Sequence, residues 1–189
     1  VEIYSDTESG AEIISTGGET ILGADDKAGV TVMLYMMEHG VPGLYYFFIG
    51  EERGGIGSRQ LSEMFGDLDY LKDIKRCVSF DRRDCHSIIT RQLSKECCSN
   101  EFAEALCSEY NKSGFSMKPD PTGIFTDSAM LMGNISECTN VSVGYYKEHT
   151  SAEHQNMDHL IKLCEASVGV DWDSLPTVRE VLRTEVSPK

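Results

Sequence analysis

Apolar residues along this chain fall in short continuous runs, punctuated by glycines and paired acids. Residues 11–14 (AEII) and 20–24 (TILGA) flank Gly17-Gly18, a pattern that predicts a hairpin or tight turn. Residues 27–38 are apolar over most of their length and predict a largely buried helix, stopped by Gly40 and then Pro42. The aromatic run 44–49 (LYYFFI) predicts a strand buried on both faces. A glycine-rich turn over 54–58 leads into a helix over 58–65, and residues 76–80 (RCVSF) and 87–90 (SIIT) predict strands. Ser99 or Asn100 caps a helix over 101–112, and Thr126-Asp127-Ser128 starts another that runs through Met132. Residues 138–146 alternate as a strand does. Residues 155–167 predict a helix with Leu160, Ile161, Leu163 and Cys164 on its apolar side, and Leu175–Val186 a short one. Strands alternating with helices predict an α/β fold, a three-layer sandwich with a mostly parallel mixed sheet flanked by helices. A length of 189 residues suits one domain over 1–189, and no repeat or linker interrupts it.

Charge narrows the function. Acidic residues outnumber basic ones 31 to 17, for a formal net charge of −14. That disfavours nucleic acid, whose binding rests on phosphate neutralisation by Lys and Arg, and it disfavours an anionic membrane surface. No apolar run is long enough to span a membrane. The 7 cysteines are odd in number, form no CxxC pair and include adjacent Cys97 and Cys98, which points to core thiols in a reducing, cytoplasmic setting. Asn111, Asn134 and Asn140 fit a glycosylation pattern, which carries little weight without a signal peptide.

Four predicted strand ends carry groups suited to acid–base or metal chemistry. Asp25-Asp26 follows TILGA, Glu51-Glu52 follows LYYFFIG, Asp81 follows RCVSF, and His149 lies just past SVGYY. One acid after a strand is usually a turn residue or a helix cap. Four at the edge where open α/β sheets form their sites reverse that expectation. Carboxylate and imidazole suit Zn²⁺, with Mn²⁺ or Co²⁺ as other choices, and adjacent Glu51 and Glu52 can divide the tasks of base and ligand.

The segments LGADDKAGV, GEERGGIGS, SFDRRD and GYYKEHTSAE resemble motifs of the two-metal exopeptidases, the group of peptidase T-like tripeptidases, bacterial leucyl aminopeptidases and related carboxypeptidases and deacylases. The resemblance spans residues 20–165. It implies Asp25 as a carboxylate bridging two metals, Asp26 after a peptide bond that is often cis, and Glu51 as general base. It implies Glu52 and His149 as ligands of one metal and Asp81 as a ligand of the other. The Thr126–Ser128 segment resembles a loop beside the substrate pocket. The implied function is a metal-dependent exopeptidase, aminopeptidase-like, that removes N-terminal residues from short peptides and often assembles as a homo-oligomer.

The match departs in one place. The family's upstream His-x-Asp motif has no counterpart, since no His precedes His39. In peptidase T-like members it would fall slightly before Val1, so the expected organisation is a catalytic-type domain lacking its N-terminal portion. One metal, held by Asp25, Glu52 and His149, keeps its protein ligands, while the site of Asp25 and Asp81 lacks its imidazole. Only 68 positions separate Asp81 from His149, too few for an inserted lid domain. Two other functions remain open: a non-catalytic metal-binding relative, and an amidohydrolase or deacylase of N-acyl compounds. Among further candidates, His149 and Glu153 could pair within EHTSAEH, while His154 and His159 are expected on the exposed face of the following helix. His86 is a loop histidine. Arg82 and Arg83 could bind a substrate carboxylate or form structural ion pairs. Gly54, Gly55 and Gly57 are not followed by the GK[ST] of a phosphate loop.

Overall fold

The computed structural model describes residues 1–181. Strands β1 (Glu2–Ser5) and β2 (Glu12–Ser15) form an antiparallel hairpin. The hairpin turns at residues 6–11, where the Asp6 carboxylate accepts the Ser9 N–H at 2.8 Å, while Gly17-Gly18 forms a separate tight turn after β2, with the Glu19 N–H bonded to the Thr16 carbonyl at 3.4 Å. Residues 20–23 are irregular. Helix α1 (Ala24–Glu38) buries Ala28, Val32 and Met36, one residue per turn on a single face. It stops where the His39 N–H bonds back to the Tyr35 carbonyl and Gly40 takes φ 72°.

The run 44–49 corrects the sequence expectation. It is not a strand, and Leu44, Phe47 and Ile49 are exposed. From Leu44 to Phe48 the backbone makes no backbone–backbone hydrogen bond to any described residue. Composition gave this run strand propensity, but a strand needs a ladder partner.

Helix α2 (Ile56–Met64) is followed by two short 3-10 turns and by β3 (Arg76–Arg82). Then come β4 (Ser87–Ile89), the small hairpin β5 (Arg91–Gln92) with β6 (Lys95–Glu96), and helix α3 (Asn100–Lys112). Ser99 caps α3 by accepting the Phe102 N–H at 3.2 Å, so that Phe102, Leu106 and Tyr110 face the core. Next are β7 (Lys118–Asp120), helix α4 (Asp127–Leu131), β8 (Glu137–Ser142), β9 (Tyr145–Tyr146), β10 (His154–Asn156) and helix α5 (Met157–Gly169). The strand expected over 138–146 is broken at Gly144, where φ is 91°. The helix expected from 155 starts two residues later, because 154–156 pair with β2 and β9. No helix forms over 175–181, and the rest of that expected helix lies outside the described residues.

The central sheet has the order β3-β8-β4-β7, with β3/β8 and β4/β7 parallel and β8/β4 antiparallel. A second, antiparallel sheet has the order β1-β2-β10-β9. Helix α1 packs on β3 and on α5, while α2 and α4 pack together and α4 lies on β3 and β8. The result is the helix-flanked mixed α/β sandwich expected from the sequence. Strand β8 is buried throughout. At its start the fully buried Glu137 carboxylate accepts N–H groups from Ser99, Val178 and Arg179, which ties the tail segment to the core. No helix among the described residues is long and apolar enough to cross a membrane.

Candidate metal centre

The four chain positions singled out in the sequence, two of which do not follow strands, lie around one pair of adjoining clefts, of about 470 and 310 Å³, both lined by Asp25, Glu51, Glu52 and Asp81. Asp25 opens α1 in non-helical conformation, and its peptide bond to Asp26 is cis. Its position is fixed from below by Glu153. That fully buried carboxylate accepts the N–H of Gly23 at 2.6 Å and of Asp25 at 3.0 Å. Glu51 and Glu52 sit on a 3-10 turn between Gly50 (φ 70°) and Gly54 (φ 85°), left-handed positions where glycine is favoured. His149 follows β9 with φ 62° and is largely exposed.

Three of these side chains converge. The His149 Nε2 lies 2.9 Å from Asp25 Oδ2 and 3.1 Å from Glu52 Oε1. One ligand atom from each of Asp25, Glu52 and His149 falls within 4.8 Å of the other two. A single ring nitrogen carries at most one proton, which cannot bond fully to two carboxylates. The three side chains offer one nitrogen and two carboxylate oxygens, a donor set that a divalent cation could accept.

Asp81 lines the same clefts as Asp25 but is not one of the three converging residues. Burial holds Asp81 well above the usual carboxylate range. Its Oδ2 accepts from Thr126 Oγ1 at 2.7 Å and its Oδ1 from the Tyr145 hydroxyl at 3.3 Å. Asn140 on β8 brackets its backbone through two 2.8 Å bonds. Glu51 is half-buried beside the cluster. Burial, then Glu52, Asp127 and Asp25, push its pKa up to about 7. Burial, then Asp81, raise Asp26 well above its ordinary value, and its Oδ1 accepts the Gly29 N–H at 3.0 Å. Burial and then Glu52 raise Asp25, while the Glu52 hydrogen bond raises His149.

The remaining candidates separate. His86 is exposed and apart from the cluster. His154 belongs to β10, with its ring stacked on Tyr146. His159 corrects the expectation of an exposed face. It is 8% exposed, its Nε2 meets the Ser142 carbonyl at 3.1 Å, and its ring packs edge-on to Phe115. The first turn of α5 docks on the end of β8, which turns position 159 inward. Arg82 and Arg83 pair with Asp120 at 3.6 Å and Glu148 at 3.4 Å. All 7 cysteines are free. Glu153, Asn140 and Tyr145 support the site, and sequence reading missed them in that role. The close spacing of Glu153 to His149 was the only signal, and it pointed to a direct partner instead of a buried support.

No family model and no curated protein matches the chain. Solved structures do. Aminopeptidase PepT from Bacillus cereus superposes with a TM-score of 0.66 at 16% identity, over 88% of this chain and 75% of that one. The Pyrococcus horikoshii TET1 peptidase, which can assemble into a tetrahedron or a large octahedral shell, gives 0.65 at 18%, over 89% of this chain and 52% of that one. An aminopeptidase from the archaeon Desulfurococcus kamchatkensis gives 0.57 at 17%, over 84% and 51%. The chain thus spans about half the length of the TET1 and Desulfurococcus proteins. Its fold is the one these aminopeptidases share.

Proposed function

We propose that this chain is the catalytic-type domain of a metal-dependent exopeptidase, aminopeptidase-like, acting on short peptides. The observation that carries the reading is the convergence of Asp25, Glu52 and His149 within 4.8 Å, with Glu51 beside them. Asp25, Glu52 and His149 would hold the ion, with Zn²⁺ favoured by the donors and Mn²⁺ or Co²⁺ as other choices. When bound, the ion supplies Lewis acidity toward a carbonyl oxygen and makes water a better nucleophile. Asp81 would complete a second position with Asp25.

The chain's own residues do the rest. Glu51, half-buried beside the three converging side chains, takes a proton from water and returns it to the departing amine. Glu153 keeps the Asp25 backbone in place, and Asn140 and Thr126 do the same for Asp81. The acidic rim suits the ammonium end of a peptide. Assembly as a homo-oligomer, as TET1 assembles, belongs to this reading.

The experiment is Glu51→Gln in the complete protein. Bound zinc should remain while kcat on short peptides falls by about 10²–10⁴. Unchanged turnover would remove Glu51 from its role. Release of acyl groups in preference to N-terminal residues would move the substrate to N-acyl compounds. A second reading, a one-metal relative without turnover, draws on Asp81, whose carboxyl oxygens are taken by Thr126 and Tyr145. One zinc per chain with no peptide turnover would favour it.

A further inference from the structure

The smaller cleft carries groups of both signs. Beside Asp25, Glu51, Glu52 and His149 it is lined by Arg82, the last residue of β3, and by Arg83. The two arginines are held differently. Arg82 is largely buried, and its Nη2 donates to Thr122 Oγ1 at 3.0 Å and lies 3.6 Å from Asp120. Its Nε is buried without a partner among the described residues. The Arg83 side chain is 58% exposed. Its one side-chain hydrogen bond among the described residues runs from Nη1 to Glu148 Oε1 at 3.4 Å, long against the ~2.8 Å of a charge-assisted bond. The lining is also short of hydrogen-bond partners. Glu148 Oε2 and Gln92 Oε1 are buried and unpaired, so with Arg82 Nε three of the five such atoms among the described residues belong to this cleft. Buried polar atoms are ordinarily paired, and a concentration of unpaired ones is the expectation for a cleft that takes a polar ligand.

We propose that Arg83 receives a carboxylate of the substrate in this cleft. The inference rests on the exopeptidase reading of the same site and narrows its substrates to peptides with a negative charge close to the scissile bond. A guanidinium is planar, and its side-on edge matches the two oxygens of a carboxylate. With Nη1 turned to Glu148, the Nε–Nη2 edge of Arg83 remains for such a bidentate pair. Arg82 does not take that part, because Thr122 and Asp120 engage its terminal nitrogen and its Nε is enclosed. It adds fixed positive charge to the same lining. Glu148 is a weak competitor, since a partly exposed ion pair at this distance adds little. Nor do the converging acids bar an anion: a divalent ion on Asp25, Glu52 and His149 offsets the charge of both carboxylates. At about 310 Å³ the cleft is at the small end for ligand sites, which suits a peptide of about two or three residues. The carboxylate comes from the free C-terminus of such a peptide or from an acidic side chain, which present the same pair of oxygens.

Calorimetry on the complete protein tests the proposal, in a zinc-loaded Glu51→Gln background so that the probes are not consumed. The probes are dialanine, dialanine amide, and alanyl-glutamyl amide, whose only carboxylate is on its side chain. One carboxylate-bearing probe should bind at least about tenfold more tightly than dialanine amide. Preference for dialanine identifies the C-terminus as the source, and preference for alanyl-glutamyl amide identifies the side chain. Arg83→Ala should bring the ratio close to one, and Arg83→Lys should keep part of it, since charge remains without the fork. Arg91→Ala, an exposed arginine outside the cleft, should keep all of it. Equal affinity for the three probes, or a preference that survives Arg83→Ala, would overturn the proposal. Turnover of dialanine amide by the native protein reads the exopeptidase assignment separately. Turnover without a carboxylate preference overturns this inference alone, while a preference lost in Arg83→Ala, without turnover of any probe, upholds the carboxylate site and overturns that assignment.

Discussion

The carboxylate of Glu153 accepts the backbone N–H of Asp25 at 3.0 Å, so a fully buried acid carries the loop whose own acid faces the cleft. The same carboxylate accepts the Gly23 N–H at 2.6 Å. The resulting prediction is that Glu153→Ala leaves two amides unpaired and costs about 2–3 kcal/mol. Urea unfolding measures the stability, and zinc titration should show weaker binding in the folded variant. Unchanged values in both would mean the loop is held by other contacts.

Gly29 is the point where α1 comes closest to the sheet. A Cβ there would lie 1.8 Å from the Phe80 carbonyl oxygen. Alanine ordinarily favours a helix by about 1 kcal/mol over glycine. Overlap with a strand backbone outweighs that gain, so Gly29→Ala should destabilise by about 3 kcal/mol. A chevron or equilibrium denaturation series measures it, and a neutral or stabilising result would place α1 farther from β3.

Much of this arrangement was legible in the sequence. The alternation of strands and helices gave the sandwich, and ADDKAG with GEERGGIGS contain Asp25 and Glu52, two of the three converging side chains. The structure brings both together with His149, about a hundred residues later in the chain, although the runs before Asp25 and Glu51 are not strands. What was not legible depended on tertiary partners. LYYFFI reads as a strand by composition alone, yet residues 44–48 make no backbone–backbone hydrogen bond among the described residues. His159 reads as exposed until α5 docks on β8. Glu153 resembles any surface acid until its two backbone donors are seen.

His159 supplies a pH signature away from the cluster. Burial lowers its pKa below the ordinary 6.5, against the Ser142 carbonyl, which raises it; His86 and Lys162 also lower it, and Asp84 raises it. The unfolded chain therefore binds this proton more readily than the folded one. Stability from neutral His159 is present above about 6.5 and falls as pH drops through the lower folded value. The stability advantage of the native chain over His159→Gln should shrink between pH 7.5 and 5.5. A constant difference across that window would show that His159 titrates alike in both states.

The most direct measurement is zinc titration by calorimetry of the native protein, His149→Ala and His86→Ala. Loss of an outer partner of a metal ligand already costs about 10–100-fold in affinity, so removal of a ligand itself should cost at least that. The expected result is saturable zinc binding that weakens by at least about 100-fold in His149→Ala and is unchanged in His86→Ala. Equal affinity in the native protein and His149→Ala would contradict the proposed metal centre of Asp25, Glu52 and His149.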